Sequence, residues 1–265
     1  MGVPSPTIVI EPPGPRYILV RKLDNPTMAE LFAGASGYSY PNWKPDFYPQ
    51  KLAAKKFLEH YATRLNSVEI NYTFRRTPSE STLENWVNVT NENFRFCIKA
   101  HQRITHIKRL NDVKDATDFF LRSIDPLRVT GRLGAVLFQL PPNLQCDTAR
   151  LETFLADLPA DMRYAFEFRH QSWFATAVYD LLQKHNVAVC LAESEKLETP
   201  EVLTADFVYF RLRKADYTPA DRQEISAKIN EMMQGDRDVF LFFKHEDTPA
   251  GALYAEQMLH AARAG

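Results

Sequence analysis

Short apolar runs of strand length recur along the chain between residues 31 and 243, and they are rich in β-branched and aromatic residues. Most are nearly continuous, which is typical of parallel strands that are covered on both faces. We therefore predict eight strands, at Leu31–Ala35, Ser67–Asn71, Phe94–Lys99, Leu133–Leu140, Tyr164–Phe168, Val187–Leu191, Phe207–Leu212 and Val239–Phe243.

Several of the intervening segments have the periodicity and end signals of helices. Asp147 is suited to cap a helix, Pro219 to open one and Gly235 to end it. The predicted helices include Lys55–Leu65, the segment after Asp147, Ala175–His185, Pro219–Met233 and the segment after Pro249. Strand and helix alternate about eight times in roughly 240 residues, which predicts an α/β fold, a single-domain TIM-barrel-like (β/α)8 barrel.

An open doubly wound sheet is the alternative fold. That fold normally carries a glycine-rich turn after its first strand, and here Gly34 and Gly37 stand alone. The first 27 residues differ from the rest, because they are rich in proline and lack periodicity. We predict a poorly structured N-terminal arm over residues 1–27 and the barrel domain over residues 28–265.

The composition narrows the class of protein. With 32 Lys+Arg and 33 Asp+Glu the net charge is -1, which disfavours a globally basic nucleic-acid protein, and 45% hydrophobic residues exclude a disordered chain. The three cysteines form no CxxC pair, which disfavours a zinc ribbon or a thioredoxin-like site, and scattered thiols are typical of a reducing compartment. We see no apolar run long enough to span a membrane, so we expect a cytoplasmic protein without membrane contact.

Polar side chains stand at the ends of the predicted strands, where barrels of this type place their chemistry. Because side chains alternate along a strand, residues two apart share a face. Helices cover the outer face, so the charged face points into the barrel. We expect five charged residues to converge on one cleft at the carboxyl end of the barrel, namely Glu69, Lys99, Glu167, Arg169 and Arg211.

Two roles compete for these residues. As structural partners they form an ion-pair network, since buried charges require partners. However, charged or amide residues close at least five strands, whereas a structural barrel fills these layers with Val, Ile and Leu. We therefore favour a functional pocket, whose excess of cations indicates an anionic ligand. The predicted catalytic residues are Glu69, Glu167 and His106, and the predicted substrate-binding residues are Ser36, Tyr40, Trp43, Asn71, Lys99, Gln139, Arg169, Trp173, Arg211 and Lys244.

Other kinds of site receive less support. Tyr40, Trp43 and Trp173 either wall the pocket or pack their loops onto the barrel rim. We see no cofactor motif. His101 and His106 share a loop, so a metal site stays an alternative. There is no HExxH motif, however, and we assign no metal ligand. No residue pattern indicates an oligomeric state.

A series of motifs runs through the chain in the order GASGYSYPNWKPDFYP, LNSVEINYTFRRTPS, FRFCIKAHQRITHIKRL, LGAVLFQLPPN, FEFRHQSWF and DFVYFRLRKADY. This series resembles the YecE-like family, domain of unknown function number 72, from Leu31 to Met258. The resemblance implies a TIM-barrel-like fold and supplies no reaction. Where the family often has Arg-Leu-His-Gly, this chain has Arg211 followed by Leu212, Arg213 and Lys214, which makes the mouth more charged.

Three functional hypotheses follow. The first is an enzyme, a hydrolase, lyase or isomerase, that acts by acid-base chemistry on a small anionic substrate carrying phosphate or carboxylate. The second is a nucleic-acid-binding or nucleic-acid-processing protein, which the near-neutral net charge disfavours. The third is a ligand-binding scaffold without catalysis, since fold alone does not separate these functions.

Overall fold

The computed structural model describes residues 28–244 and 247–264, so the predicted arm over residues 1–27 lies outside the described residues. Each predicted strand is present to within one residue at either end. The strands are β1 (Leu31–Ala35), β2 (Ser67–Ile70), β3 (Arg95–Lys99), β4 (Leu133–Gln139), β5 (Tyr164–Glu167), β6 (Ala188–Ala192), β7 (Phe207–Leu212) and β8 (Asp238–Phe243).

Helices surround the strands. They are α1 (Phe57–Arg64), α2 (Glu80–Val89), α3 (Lys114–Ser123), α4 (Asp125–Val129), α5 (Thr148–Ala156), α6 (Thr176–Lys184), α7 (Pro219–Gln234) and α8 (Ala250–Ala264). The predicted end signals are confirmed: Asp147 accepts a hydrogen bond from the Arg150 amide at 3.0 Å, Pro219 opens α7 and Gly235 follows its last residue.

The alternation of strand and helix is less regular than predicted. The connection from β6 to β7, residues 193–206, contains no helix, whereas the connection from β3 to β4 contains both α3 and α4. The outer faces of β6 and β7 therefore lack the helix that the sequence-based alternation assigned to them. This departure opens space beside the mouth of the barrel.

All strand pairs are parallel, and the sheet order is β1-β8-β7-β6-β5-β4-β3-β2. The strands form a nearly closed, single-domain TIM-barrel-like barrel, as predicted. Across the seam between β1 and β2, side chains take the place of a backbone ladder in the described part of the chain. The side chain of Asn66 accepts from the Ala33 amide at 2.9 Å and donates to the Leu31 carbonyl at 2.7 Å.

Tyr61 completes this seam. Its hydroxyl accepts from the Ala35 amide at 2.8 Å and donates to the Ser67 carbonyl at 2.9 Å. Gly34 permits the close approach of the two strands, since a Cβ atom there would lie 1.9 Å from the carbonyl oxygen of Ser67. Both edge strands thus satisfy backbone groups without hydrogen-bonding directly to each other.

Strand side chains alternate between the barrel interior and the layer beneath the helices. Most of the interior is apolar and includes Phe32, Leu137, Phe207 and Phe240. At the carboxyl end of the barrel the apolar filling gives way to charged side chains, and these define the candidate site.

Candidate functional site

Three fully buried charged side chains occupy the mouth of the barrel. Glu69 from β2, Glu167 from the end of β5 and Arg211 from β7 have side-chain exposures of 0, 1 and 3%. Arg211 binds Glu69 in a bidentate fashion, with Nε–Oε2 and Nη2–Oε1 distances of 2.8 and 2.7 Å, and its Nη1 donates to Glu167. One guanidinium therefore joins two buried carboxylates, with the planar geometry that arginine provides.

Around Glu69 lies a closed set of partners, which we call the Glu69 half of the site: Ser36, Glu69, Asn71 and Tyr209. The Ser36 hydroxyl and the Asn71 amide donate to Oε1 at 2.8 and 3.0 Å, and the Tyr209 hydroxyl donates to Oε2 at 2.9 Å. Burial alone would raise the pKa of Glu69, but Arg211 and these hydrogen bonds outweigh burial and lower it. Glu69 is therefore a fully satisfied carboxylate.

The Glu167 half of the site comprises Lys99, Gln139, Glu167, Arg169 and Arg213. Arg169 Nε and Arg213 Nη2 donate to Glu167 Oε1 at 2.5 and 2.9 Å. Gln139 donates to Glu167 at 2.8 Å and accepts from the Lys99 ammonium at 2.8 Å. Burial opposes ionisation of Glu167, yet the arginines outweigh burial and lower its pKa to about 2.

The two halves differ in charge and in exposure. Arg169 and Arg213 share the Glu167 carboxylate with Arg211, and Lys99 is linked to it through Gln139, so cations outnumber carboxylates in the network four to two. The side chains of Arg169 and Arg213 are 29 and 19% exposed, whereas Glu167 is buried. Burial and the charge of Arg211 lower the pKa of Lys99 to about 8. The Glu167 half is therefore an accessible, positively charged surface.

His106 lies next to this surface, on a π-helical turn over Arg103–Ile107. Both His106 and Lys99 contact the Phe74 ring: the imidazole centre lies 4.7 Å from the ring centre, and the Lys99 ammonium lies 4.3 Å from it. Burial and the neighbouring charge of Lys99 lower the pKa of His106. Lys99 and His106 thus contact the same aromatic ring, and the pKa of each is lowered.

Eight of the thirteen predicted site residues belong to this network, and His106 borders it through Phe74. The aromatic candidates lie outside it. Trp43 is buried against Tyr40 and Tyr48, and Trp173 is buried against Phe168. These contacts match the alternative in which the aromatic side chains pack their loops onto the rim.

Tyr40 and Lys244 also lie apart from the network's carboxylates. The Tyr40 hydroxyl donates to the backbone carbonyl of Ser36 at 2.9 Å, which fixes the loop that carries the serine hydroxyl. Lys244 directly follows β8 and is exposed, with its amide bound to the Leu212 carbonyl at 2.8 Å.

Two residues of the network were absent from the predicted site. Tyr209, Arg211 and Arg213 alternate along and just beyond β7, so strand periodicity places all three on the inner face. Tyr209 lies within an apolar run, which conceals its polar hydroxyl. Arg213 carries a clear signal, since it stands two residues after Arg211.

Among the described residues, no group of three or more His, Cys, Asp or Glu side chains is arranged to hold a metal ion. In the same part of the chain, none of the helices has the length and apolar character required to cross a bilayer.

The parallel barrel and its charged mouth define a TIM-barrel-like protein with its candidate site at the carboxyl ends of the strands. A family profile described as "Protein of unknown function DUF72" matches residues 32–265. The chain belongs to this family, as its sequence motifs indicated.

Known relatives agree with this assignment. The chain is 31% identical over 160 residues to the UPF0759 protein YunF of Bacillus subtilis, covering 57% of this chain and 54% of YunF. It is 32% identical over 146 residues to the UPF0759 protein YecE of Escherichia coli K12, covering 55% of this chain and 50% of YecE. The matched region thus spans about half the length of these curated relatives.

A solved structure shows the same fold. The crystal structure of a DUF72 family protein from Thermotoga maritima superposes with a TM-score of 0.78 at 25% identity, covering 88% of this chain and 99% of that one. The family carries no established reaction in its description, so the chemistry of the mouth rests on the geometry of this chain.

Proposed function

We propose that the protein is an enzyme that acts by acid-base chemistry on a small anionic substrate, bearing phosphate or carboxylate, at the mouth of the barrel. The observation that carries the proposal is the excess of positive charge in the Glu167 half, where three cations of partial exposure surround one buried carboxylate. An anion bound there balances this charge and accepts hydrogen bonds from the N–H groups that do not bind Glu167.

The pKa values of the site residues indicate which of them transfer protons and which position other side chains. A carboxyl with a pKa of about 2 is a weak base at neutral pH, so Glu167 serves to orient arginines. Lys99, with a pKa of about 8, exchanges protons near neutral pH, and His106 is the second candidate for proton transfer. Proton transfer thus moves from the two glutamates that the sequence favoured to Lys99 and His106, and hydrolases, lyases and isomerases remain the reaction classes proposed.

Thermal unfolding in the presence of small anions tests the proposal. We expect phosphate, sulfate or small carboxylates to raise Tm relative to chloride at equal ionic strength, because a ligand of the native state stabilises it. Arg169→Met removes a partly exposed donor and should abolish this shift. Arg128→Met provides a matched control, since Arg128 pairs on the surface with Asp125 and Asp161.

The outcome separates the hypotheses. A shift that disappears in Arg169→Met and persists in Arg128→Met supports anion binding at the mouth. Equal shifts in both variants, or no shift with any anion, would overturn it. Anion binding without any turnover across a panel of phosphate and carboxylate substrates would favour the ligand-binding scaffold over the enzyme.

Nucleic acid is the second candidate ligand because the loops after β2 and β3 are basic. The cationic side chains there form no ion pair among the described residues, and they are Arg75, Arg76, Arg103, Lys108 and Arg109. Tyr72 in the same region is 46% exposed and is available for base stacking. Salt-sensitive binding of oligonucleotides that is lost in Arg75→Ala/Arg76→Ala would favour this function.

A further inference from the structure

A large cavity adjoins the Glu167 half of the site. It has a volume of about 1090 Å³ and lies between the helix-free connection, residues 193–206, and helix α7. Its floor contains Leu191, Phe210 and Leu212 from the outer faces of β6 and β7. The cavity exists because the helix that would cover these faces in a regular barrel is absent.

Helix α7 adds two apolar side chains to the opposite wall, beside the charged side chains of Asp221, Glu224 and Lys228. Ile225 and Ile229 of α7 line it, and both pack against the same hydrophobic layer as the floor. Pockets for organic ligands typically have volumes of about 300–1,000 Å³ and predominantly apolar linings. The space is therefore large enough for a molecule far bigger than an inorganic anion.

Positive charge is concentrated at the end of the cavity that meets the mouth. Arg169 and Arg213 line the cavity and also bind Glu167. The Nε atom of Arg213 has no hydrogen-bond partner among the described residues, so this guanidinium retains donor capacity.

Negative charge lies along the remaining rim. Some of its carboxylates are satisfied within the protein: Glu201 pairs with Lys228, Asp221 pairs with Lys214, and Glu193 accepts from the Tyr217 hydroxyl. The others are exposed and outnumber the further exposed cation of the lining, Lys196; they are Glu195, Glu198 and Glu224. This distribution repels an anion from the outer rim and favours its placement at Arg169 and Arg213.

Resting on the proposed function, we propose that the substrate is an amphipathic organic anion. Its phosphate or carboxylate group binds Arg169 and Arg213 at the mouth, and its hydrophobic ring or chain extends into the cavity over Leu191, Phe210 and Leu212. The site thereby selects for the hydrophobic part of the substrate as well as for its charged group. Burial of apolar area in the cavity supplies affinity that an inorganic anion lacks.

Calorimetric titration with three probes tests the inference: inorganic phosphate, phenyl phosphate and 1-naphthyl phosphate. We expect Kd to fall at each step, by about tenfold or more from phosphate to the naphthyl ester, because each ring buries more apolar surface. The heat-capacity change of binding should become more negative along the series. Arg213→Met should weaken all three ligands.

Two substitutions in α7 locate the effect. Ile225→Trp occupies part of the cavity beside its apolar floor and should reduce the gain of the naphthyl ester while leaving phosphate binding intact. Ile225→Ser retains the space, reduces the apolar wall and should diminish the gain. Val129→Trp on α4 is the control, because Val129 is 64% exposed and lies outside the cavity lining.

The failures are distinguishable. Equal affinity for all three probes, with phosphate binding intact, overturns this inference and leaves the proposed function standing. If the higher affinity for the naphthyl ester is unchanged by both Ile225 substitutions, the inference is also overturned, because the naphthyl ring then binds elsewhere. If none of the probes binds, the proposed function fails as well.

Discussion

The Glu69 half and the Glu167 half of the site share one arginine, yet they have opposite characters. Three partners of Glu69 are buried, namely Ser36, Tyr209 and Arg211, and its carboxylate is fully enclosed. Glu167 is equally buried, but Arg169 and Arg213 extend from it toward solvent and the adjoining cavity. Burial of a carboxylate therefore does not define its role: partners that are partly exposed can contact a ligand, whereas enclosed partners cannot.

The largest expected effect follows from removing the shared group. Arg211→Met leaves Glu69 with no bound cation and removes one of the three arginines that bind Glu167, so it should cost about 3–5 kcal/mol of the free energy of unfolding. Urea denaturation measures this loss. A loss no larger than that of the surface variant Arg128→Met would contradict the account of Arg211 as the anchor of both halves.

Acid should weaken the fold through Glu167. Its pKa falls from 4.5 in the unfolded chain to about 2 in the folded protein, so its contribution is present above pH 4.5 and is lost as pH falls toward 2. That contribution is on the order of 3 kcal/mol. Unfolding free energies measured between pH 5 and pH 2.5 should fall less steeply in Glu167→Gln, and identical slopes in both proteins would refute the assignment.

Tyr209→Phe probes the Glu69 half alone. It removes one hydrogen bond to Glu69 and should cost about 1 kcal/mol of stability. Because Tyr209 lies outside the exposed surface, the shift of Tm caused by phosphate should match that of the unaltered protein. Loss of the phosphate shift would show that the two halves are not separable.

The smallest change in stability is expected for Lys99→Met. Folding lowers the pKa of Lys99 from 10.5 to about 8, so the unfolded chain binds the proton more tightly, and stability rises with pH across that window. The variant should lack this rise and should be as stable as the parent at pH 7, or more stable.

Anion binding gives a second readout for Lys99. In the unaltered protein, phosphate stabilisation should decline as pH rises through about 8, where the ammonium loses its proton. Lys99→Met should show weaker stabilisation without that decline. A parent protein whose phosphate stabilisation stays constant from pH 7 to pH 9 would exclude Lys99 from the anion site.

Strand periodicity was sufficient to place the buried charges of the mouth. The two-residue alternation put Glu69 and Arg211 on the inner face of their strands, and the structure joins them. The sequence did not reveal which partner each carboxylate takes, because partners such as Ser36 and Glu69 lie on different strands. The lowered pKa values of Glu69 and Glu167 depend on those partners, so the sequence alone did not show the ionisation state of either carboxyl group.

The sequence also overstated the regularity of the fold. The predicted alternation of strand and helix implied a helix after β6. Periodicity alone did not show that residues 193–206 contain none. The cavity follows from that absence and was not predicted. Trp43 and Trp173 illustrate a similar limit, because an aromatic residue in a rim loop has the same sequence pattern whether it faces ligand or core.

The seam between β1 and β2 has a consequence for synthesis on the ribosome. β1 forms its backbone ladder with β8, so Leu31 pairs with Val239 at the other end of the chain. The strands from β2 to β7 pair with neighbours in sequence order and can assemble as they emerge. β1 is translated first among the described strands, and the hydrogen bonds that link it to described elements other than β8 are those with the side chains of Tyr61 and Asn66. The backbone ladder of the first strand is therefore completed only after the last strand has been made.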